Sequence, residues 1–376
     1  STLPAGSTPG WLYSRLALLS AGSTPGWLYS RLALLSAGPT LVPPMQQLLA
    51  IAVALSAVSL LPAQQTNLTA HPQESVQSGN ANYSPFGVFS TGSGAEARAH
   101  ILVPANELPG PGAVLTGIEL CVLTSGTVTY ASLEISASPT PATSLSNTFA
   151  NNIVGTPTVV LQATSLQVAY SSAAWVGIQF TQPYVHDGVS ALLLDVKKVV
   201  QQAPTYQFVT MNKTSYPPRN DRPQMAYVFG GPGSGQNNAL TATSMDSPIS
   251  FRLLWSGMPT LRNRADTGAS GNNYNIGGST VMTVAGDPGD LWVLAAGVGF
   301  LPSPVAIPGI AGTFRLNGPV VYAGGVLDAA GQGVLAANLP NNPSVVGFYL
   351  VHQAATVDVG TGAIVLTNGM DHFVNS

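Results

Sequence analysis

Five histidines, one cysteine and fifteen carboxylates are the groups through which this chain of 376 residues could do chemistry. Metal binding needs imidazoles or carboxylates at ligand spacing, and His71, His100, His186, His352 and His372 form neither HxH nor HExxH. No zinc or non-haem iron site is expected. His186-Asp187 sets a base beside an acid, but adjacent residues at a strand end point apart and do not bond as a triad does. The glycine-rich pieces at 230–235, 297–299 and 360–362 complete no GxGxxG, GxxxxGK[ST] or GxSxG pattern, so they read as loops and not as phosphate cradles. Cys121, being single, excludes an intrachain disulfide, a CxxC redox site and a thiolate cage. Carboxylate pairs for glycoside hydrolysis stay open, because two acids distant in the chain can meet in the fold. No catalytic constellation is complete, and none is assigned.

Two weaker kinds of site have residues to build them. Calcium takes oxygen ligands from loops, and Asp266 with Asn272, Asn273 and Asn275, or Asp287 with Asp290, would supply them. The same residues are common turn formers, because their side chains bond the local backbone. No other cofactor is expected. A sugar site would use aromatic stacking platforms, and Tyr83, Phe86, Phe89, Trp175, Tyr184, Tyr206, Tyr216 and Tyr227 crowd the first half. Tyr83 and Tyr216 lie in polar loop text and are the exposed candidates. Tyr184 is a further one, and Trp175, in an apolar strand, reads first as core.

The elements that must position these groups are short strands. Only 7% of the chain is charged, and three of its residues are lysine (Lys197, Lys198, Lys213), so it has no electrostatic footprint for nucleic acid. Residues 5–20 recur unchanged at 21–36, and no Met precedes Met45, which reads as a translated upstream region over 1–44. Residues 45–63 carry an apolar run, Leu48–Leu61, ending in Pro62-Ala63, the form of a secretory signal cleaved before Gln64. The expectation is a secreted or cell-surface chain with no stable membrane span once the signal is removed.

From there, β-branched and aromatic runs alternate with Gly, Pro, Asn and Ser clusters, and no dozen residues keep a helical period. The pattern predicts an all-β protein of two antiparallel β-sandwich domains, jelly-roll-like over 64–256 (core from about 78) and immunoglobulin-like over 279–376, joined by an Asn/Gly-rich linker at 257–278. Alternation puts Ile118, Leu120 and Val122 inside, and likewise Leu133 and Ile135. By parity Cys121 falls on the wetter face, either as a filler under a loop or as an exposed thiol.

Three stretches, Leu145–Asn152 (LSNTFANN), Gln182–Gly188 (QPYVHDG) and Leu192–Val196 (LLLDV), resemble a module of secreted proteins of planctomycete-type bacteria with the pattern LSxTFAxN … PFxYDGxxNLLLDV. His186 stands where that pattern has Tyr. The pieces Gly289-Asp-Leu-Trp292, Ile307-Pro-Gly309, Leu327-Asp-Ala-Ala-Gly331, Pro340-Asn-Asn-Pro343 and Ala363-Ile-Val-Leu-Thr-Asn368 are similar to the sandwich that often closes such proteins. The resemblance implies extracellular β-sandwich material and brings no activity or functional residues. Read for packing alone, Asp187-Gly188 is a turn pair, Leu192 and Leu194 bury one strand face, and Asp195 on the other face needs Lys197, Arg98 or the backbone as partner. The functional expectation is a non-catalytic structural or adhesive protein. The alternative is a carbohydrate-binding protein, or the binding part of a polysaccharide-degrading system. The partners would be extracellular glycans or other surface proteins.

Overall fold

The computed structural model describes residues 67–71, 80–82, 85–88, 91–172, 174–201, 211–213, 223–246, 249–265 and 273–375. The duplicated segment, the signal-like run, Tyr83, Phe89, Tyr206, Tyr216, Asp266 and Asn272 lie outside them. All described residues belong to one unit, Gln64–Ser376, and among them there is no α-helix.

In the first half the strands are β1 (Asn67–His71), β2 (Asn80–Asn82), β3 (Glu96–Val103), β4 (Val114–Val122), β5 (Gly126–Thr140), β6 (Thr158–Ala163), β7 (Leu166–Tyr170), β8 (Ala174–Val185), β9 (Ala191–Val200), β10 (Met211–Lys213), β11 (Gln224–Gly230), β12 (Ser244–Asp246) and β13 (Phe251–Ser256). They form two antiparallel sheets, β1-β13-β4-β10-β2 with β8 also on β4, and β12-β11-β3-β9-β5-β6 with β7 also on β5. Successive long strands cross from one sheet to the other, β3 to β4 to β5 and β8 to β9, which is the winding of a jelly roll. Period-2 alternation explains the core. Ile118 and Leu120 of β4, with Leu253 and Trp255 of β13, face Ile101 of β3, Leu192, Leu194 and Val196 of β9, and Leu133 and Ile135 of β5.

Gly188 sets the turn into β9. It has φ of +77°, and an added Cβ would stand 2.1 Å from the nitrogen of Pro111, so only glycine fits. Asp187 completes the turn, its Oδ1 accepting from the backbone N–H of Val189 (2.9 Å) and Ser190 (2.8 Å).

The second half contains β14 (Thr260–Ala265), β15 (Asn273–Asn275), β16 (Ser279–Ala285), β17 (Leu291–Gly297), β18 (Gly299–Val305), β19 (Ile310–Ala311), β20 (Phe314–Asn317), β21 (Val320–Val326), β22 (Gln332–Asn338), β23 (Tyr349–Val357) and β24 (Ile364–Asn375). A three-stranded sheet, β14-β16-β22, packs on β15-β24-β23-β17-β21, the arrangement of an immunoglobulin-like sandwich. Leu261, Met282 and Val284 meet Trp292, Leu294 and Ala354 between the two. Two short strands, β15 and β19, pair with β24 in parallel, and β18-β20 form a separate ribbon. Strand β14 falls inside the segment that the sequence reads as a linker. Its polar residues pair with β16 along their whole length, Thr260 opposite Ala285 to Ala265 opposite Thr280. No helix among the described residues is long and apolar enough to cross a membrane.

Candidate functional site

Trp175 and Tyr184 both sit on β8; Tyr184 is in the core, whereas Trp175, which the sequence reads first as core, is half-buried outside it. The register sets Trp175 opposite Cys121, and the Arg252 guanidinium lies 4.0 Å from the Trp175 ring centroid while Nη1 donates to Glu119 Oε2 at 2.9 Å. One face of the indole is therefore taken by a cation. Cys121 shares the outer face with Glu119, as parity assigns it, but is fully buried there, the filler of the two alternatives. The outer side of this sheet is covered by Trp175, Arg252 and Glu119, so parity alone did not decide exposure. Tyr184 is only 7% exposed, belongs to the main core, and burial pushes its hydroxyl up to about 12.

The motif residues come together as a lid. Segment 145–153, with Ala239 and Ala242, covers the outer face of the second sheet, where Leu145 and Phe149 pack on Leu102, Leu193, Ala226 and Val228. Beneath it, Arg98 donates through Nε to Asp195 Oδ1 (3.1 Å) and through Nη2 to Oδ2 (2.8 Å), and Nη1 donates to the carbonyl of Ala239 (2.8 Å). His100 Nε2 stands 3.4 Å from Asp195 Oδ1, and its Nδ1 meets the Asn152 amide at 3.1 Å. Burial opposes ionisation of Asp195, but hydrogen bonds from His100 and Arg98 outweigh it and hold the carboxyl at about 2. Of the partners that the sequence offers Asp195, the structure selects Arg98, while Lys197 pairs with Glu134 at 2.8 Å. An acid, an imidazole and an amide in a row resemble the supporting half of a hydrolytic site. Here Nδ1 is tied to Asn152, Nε2 only approaches Asp195, and the Phe149 ring lies 4.6 Å from the imidazole, so the row fastens the lid to the sheet.

The glycine-rich loop after β11 does cradle an anion, and that anion is internal. Glu96 Oε1 accepts from Gly233 N–H and Oε2 from Gly235 N–H, each at 2.6 Å, with both glycines at positive φ. The His186 ring and Asp187 are 3.8 Å apart, too far to hydrogen-bond. Asp287 and Asp290 share a tight turn, Asp290 N–H donating to the Asp287 carbonyl at 3.2 Å. Burial and then the charges of Asp287 and Asp358 raise the Asp290 carboxyl. Among the described residues no three His, Cys, Asp or Glu side chains gather as a metal would require. Asn273 lies on β15 beside β24.

Among the described residues one surface is left without an internal use. Among the described residues β21 pairs on one side only, with β17, and neither strand carries a charge (VVYAGGV and LWVLAAG). On the outer face the register sets Leu291 opposite Val326 and Ala295 opposite Val321, with Val293 beside them. Val321 and Val326 are 64% and 61% exposed, and Leu291 and Val293 are exposed as well. Natural sheet edges are ordinarily blunted by lysine, proline or a bulge that turns them away, because unpaired N–H and C=O groups invite another strand. This one has a bulge at Leu294/Ala295 and no charge. Gly324-Gly325 interrupts the alternation of β21, so its residues carry no strand signal in the sequence. Against known proteins, the chain matches no family model and no curated protein.

Proposed function

We propose that this is a non-catalytic structural or adhesive β-sandwich protein of the cell exterior, and that it associates with a second copy through the β21 edge and the apolar strip beside it. The observation that carries this is the uncharged edge strand with Val321, Val326, Leu291 and Val293 exposed along it. Hydrogen-bond groups along the edge would provide register, and the valines would provide buried area. The low charge and the leader-like apolar run at 48–61 support an exported, packing role. A sugar-binding role would need flat, open rings. Arg252 covers one face of Trp175 and Tyr184 is buried, so the described residues favour association through the edge.

Sedimentation velocity over a concentration series tests the proposal. The native chain is expected to associate as concentration rises, and Val321→Lys, which puts a charge into the apolar strip, to weaken that association by about tenfold or more. A native chain that stays monomeric throughout, or a variant that associates as the native chain does, would overturn it.

A further inference from the structure

Where the two sandwiches meet, the segments 104–106, 140–143 and 189–191 face β18 and β20 across a cleft of about 460 Å³. Arg315 of β20 lines it and is 1% exposed. Its backbone is fixed: the N–H donates to Gln353 Oε1 at 3.0 Å, and Gln353 Nε2 donates to the carbonyls of Thr313 (2.7 Å) and Thr367 (2.8 Å). The side chain is not so well served. Nη2 reaches the Leu108 carbonyl at 3.4 Å, whereas Nε and Nη1 have no hydrogen-bond partner among the described residues. Among the described residues Arg315 makes no ion pair, unlike Arg98 and Arg252. Burial brings its pKa down to about 10, so the guanidinium stays cationic at neutral pH. Its buried neighbour His186 does not neutralise it. Among the described residues neither ring nitrogen of His186 has a hydrogen-bond partner, and burial holds the imidazole neutral, at about 4.

An unpaired guanidinium out of water is costly unless an anion meets it. The rest of the wall is mostly apolar, including Pro104, Ala105, Pro141, Ala142 and Phe300. Its volume falls in the range of small-molecule sites, about 300–1,000 Å³. A planar carboxylate matches the donor fork of arginine, and an apolar or ring-shaped body would fit the walls. We propose that this cleft binds a small organic carboxylate, with its charge on Arg315 and its body against Phe300, Pro104 and Pro141. The proposal is independent of the β21 edge. It fits both a free aromatic or aliphatic acid and an acidic sugar, because the carboxylate is common to them.

Calorimetric titration of the native chain tests this with matched pairs: benzoate against benzamide, and glucuronate against glucose. Sodium sulfate serves as a bare anion. The acid of at least one pair is expected to bind about tenfold or more tighter than its neutral counterpart, and Arg315→Met to remove that difference. Benzoate binding would identify an apolar acid as the ligand type, and glucuronate binding a sugar acid. The proposal fails if neither acid is preferred over its neutral partner by the native chain, or if sulfate binds as tightly as the better acid. The native comparison decides it even if Arg315→Met does not fold.

Discussion

Lowering the pH from 7 to 5 should destabilise the fold through two buried histidines. His186 is 1% exposed and His352 is 5% exposed, and burial is the main cause that pushes each from 6.5 down to about 4. For His186, Asp187 opposes the shift and Arg315 adds to it. His352 has the hydroxyl of Tyr322 at 2.8 Å from Nδ1 and the His372 ring 4.4 Å away, so a proton there enters a crowded interior. The unfolded chain binds these protons more tightly than the native one. The stability the two groups contribute is therefore fully present above about pH 6.5 and is lost as the pH falls towards 4. At pH 5 each histidine costs about 2 kcal/mol, and the pair about 4 kcal/mol. Asp195, held at about 2 against an ordinary 3.8, acts only at lower pH, outside this window. Urea unfolding at pH 7 and pH 5 measures the loss directly, with the midpoint and slope at each pH giving the free energy. In His352→Gln the loss between the same two pH values should fall by about half, to about 2 kcal/mol. Equal losses in the native chain and the variant, or a native chain no less stable at pH 5, would refute the assignment.

Replacing Gly188 with Ala forces a Cβ into Pro111 at a left-handed backbone position, and is expected to lower stability by roughly 2 kcal/mol or more in the same urea assay. Asp195→Asn leaves the partly buried Arg98 without its carboxylate, which should cost about 3 kcal/mol at neutral pH and loosen the 145–153 lid; limited proteolysis across that segment would detect the loosening.

Much of the first sandwich could be read in the sequence, because its strands alternate cleanly. Leu192, Leu194 and Val196 do face the core, and Asp187-Gly188 does make the turn. Leu193 and Asp195, on the opposite face, are buried as well, because the LSNTFANN segment folds over them. A motif that resembles a loop in the text is thus a cover for a sheet, which periodicity in a single strand cannot show. Strand β14 was hidden by its composition: Arg262, Asn263 and Arg264 look like a linker, yet their backbone completes a ladder with β16. Cys121 shows that alternation gives a face, whereas exposure depends on what else covers that face. Arg315 had no signal at all. It is one arginine in the short strand FRLN, and its isolation follows only from the meeting of two sandwiches.

The most direct test of edge-to-edge association is amide hydrogen exchange across residues 319–327, read by mass spectrometry at low and high protein concentration. The expected result is that the amides of β21 become protected as the chain associates, and that Val321→Lys abolishes the gain while leaving protection in β17 and β23 unchanged. Association without added protection at β21, or protection gained instead at another surface, would contradict it.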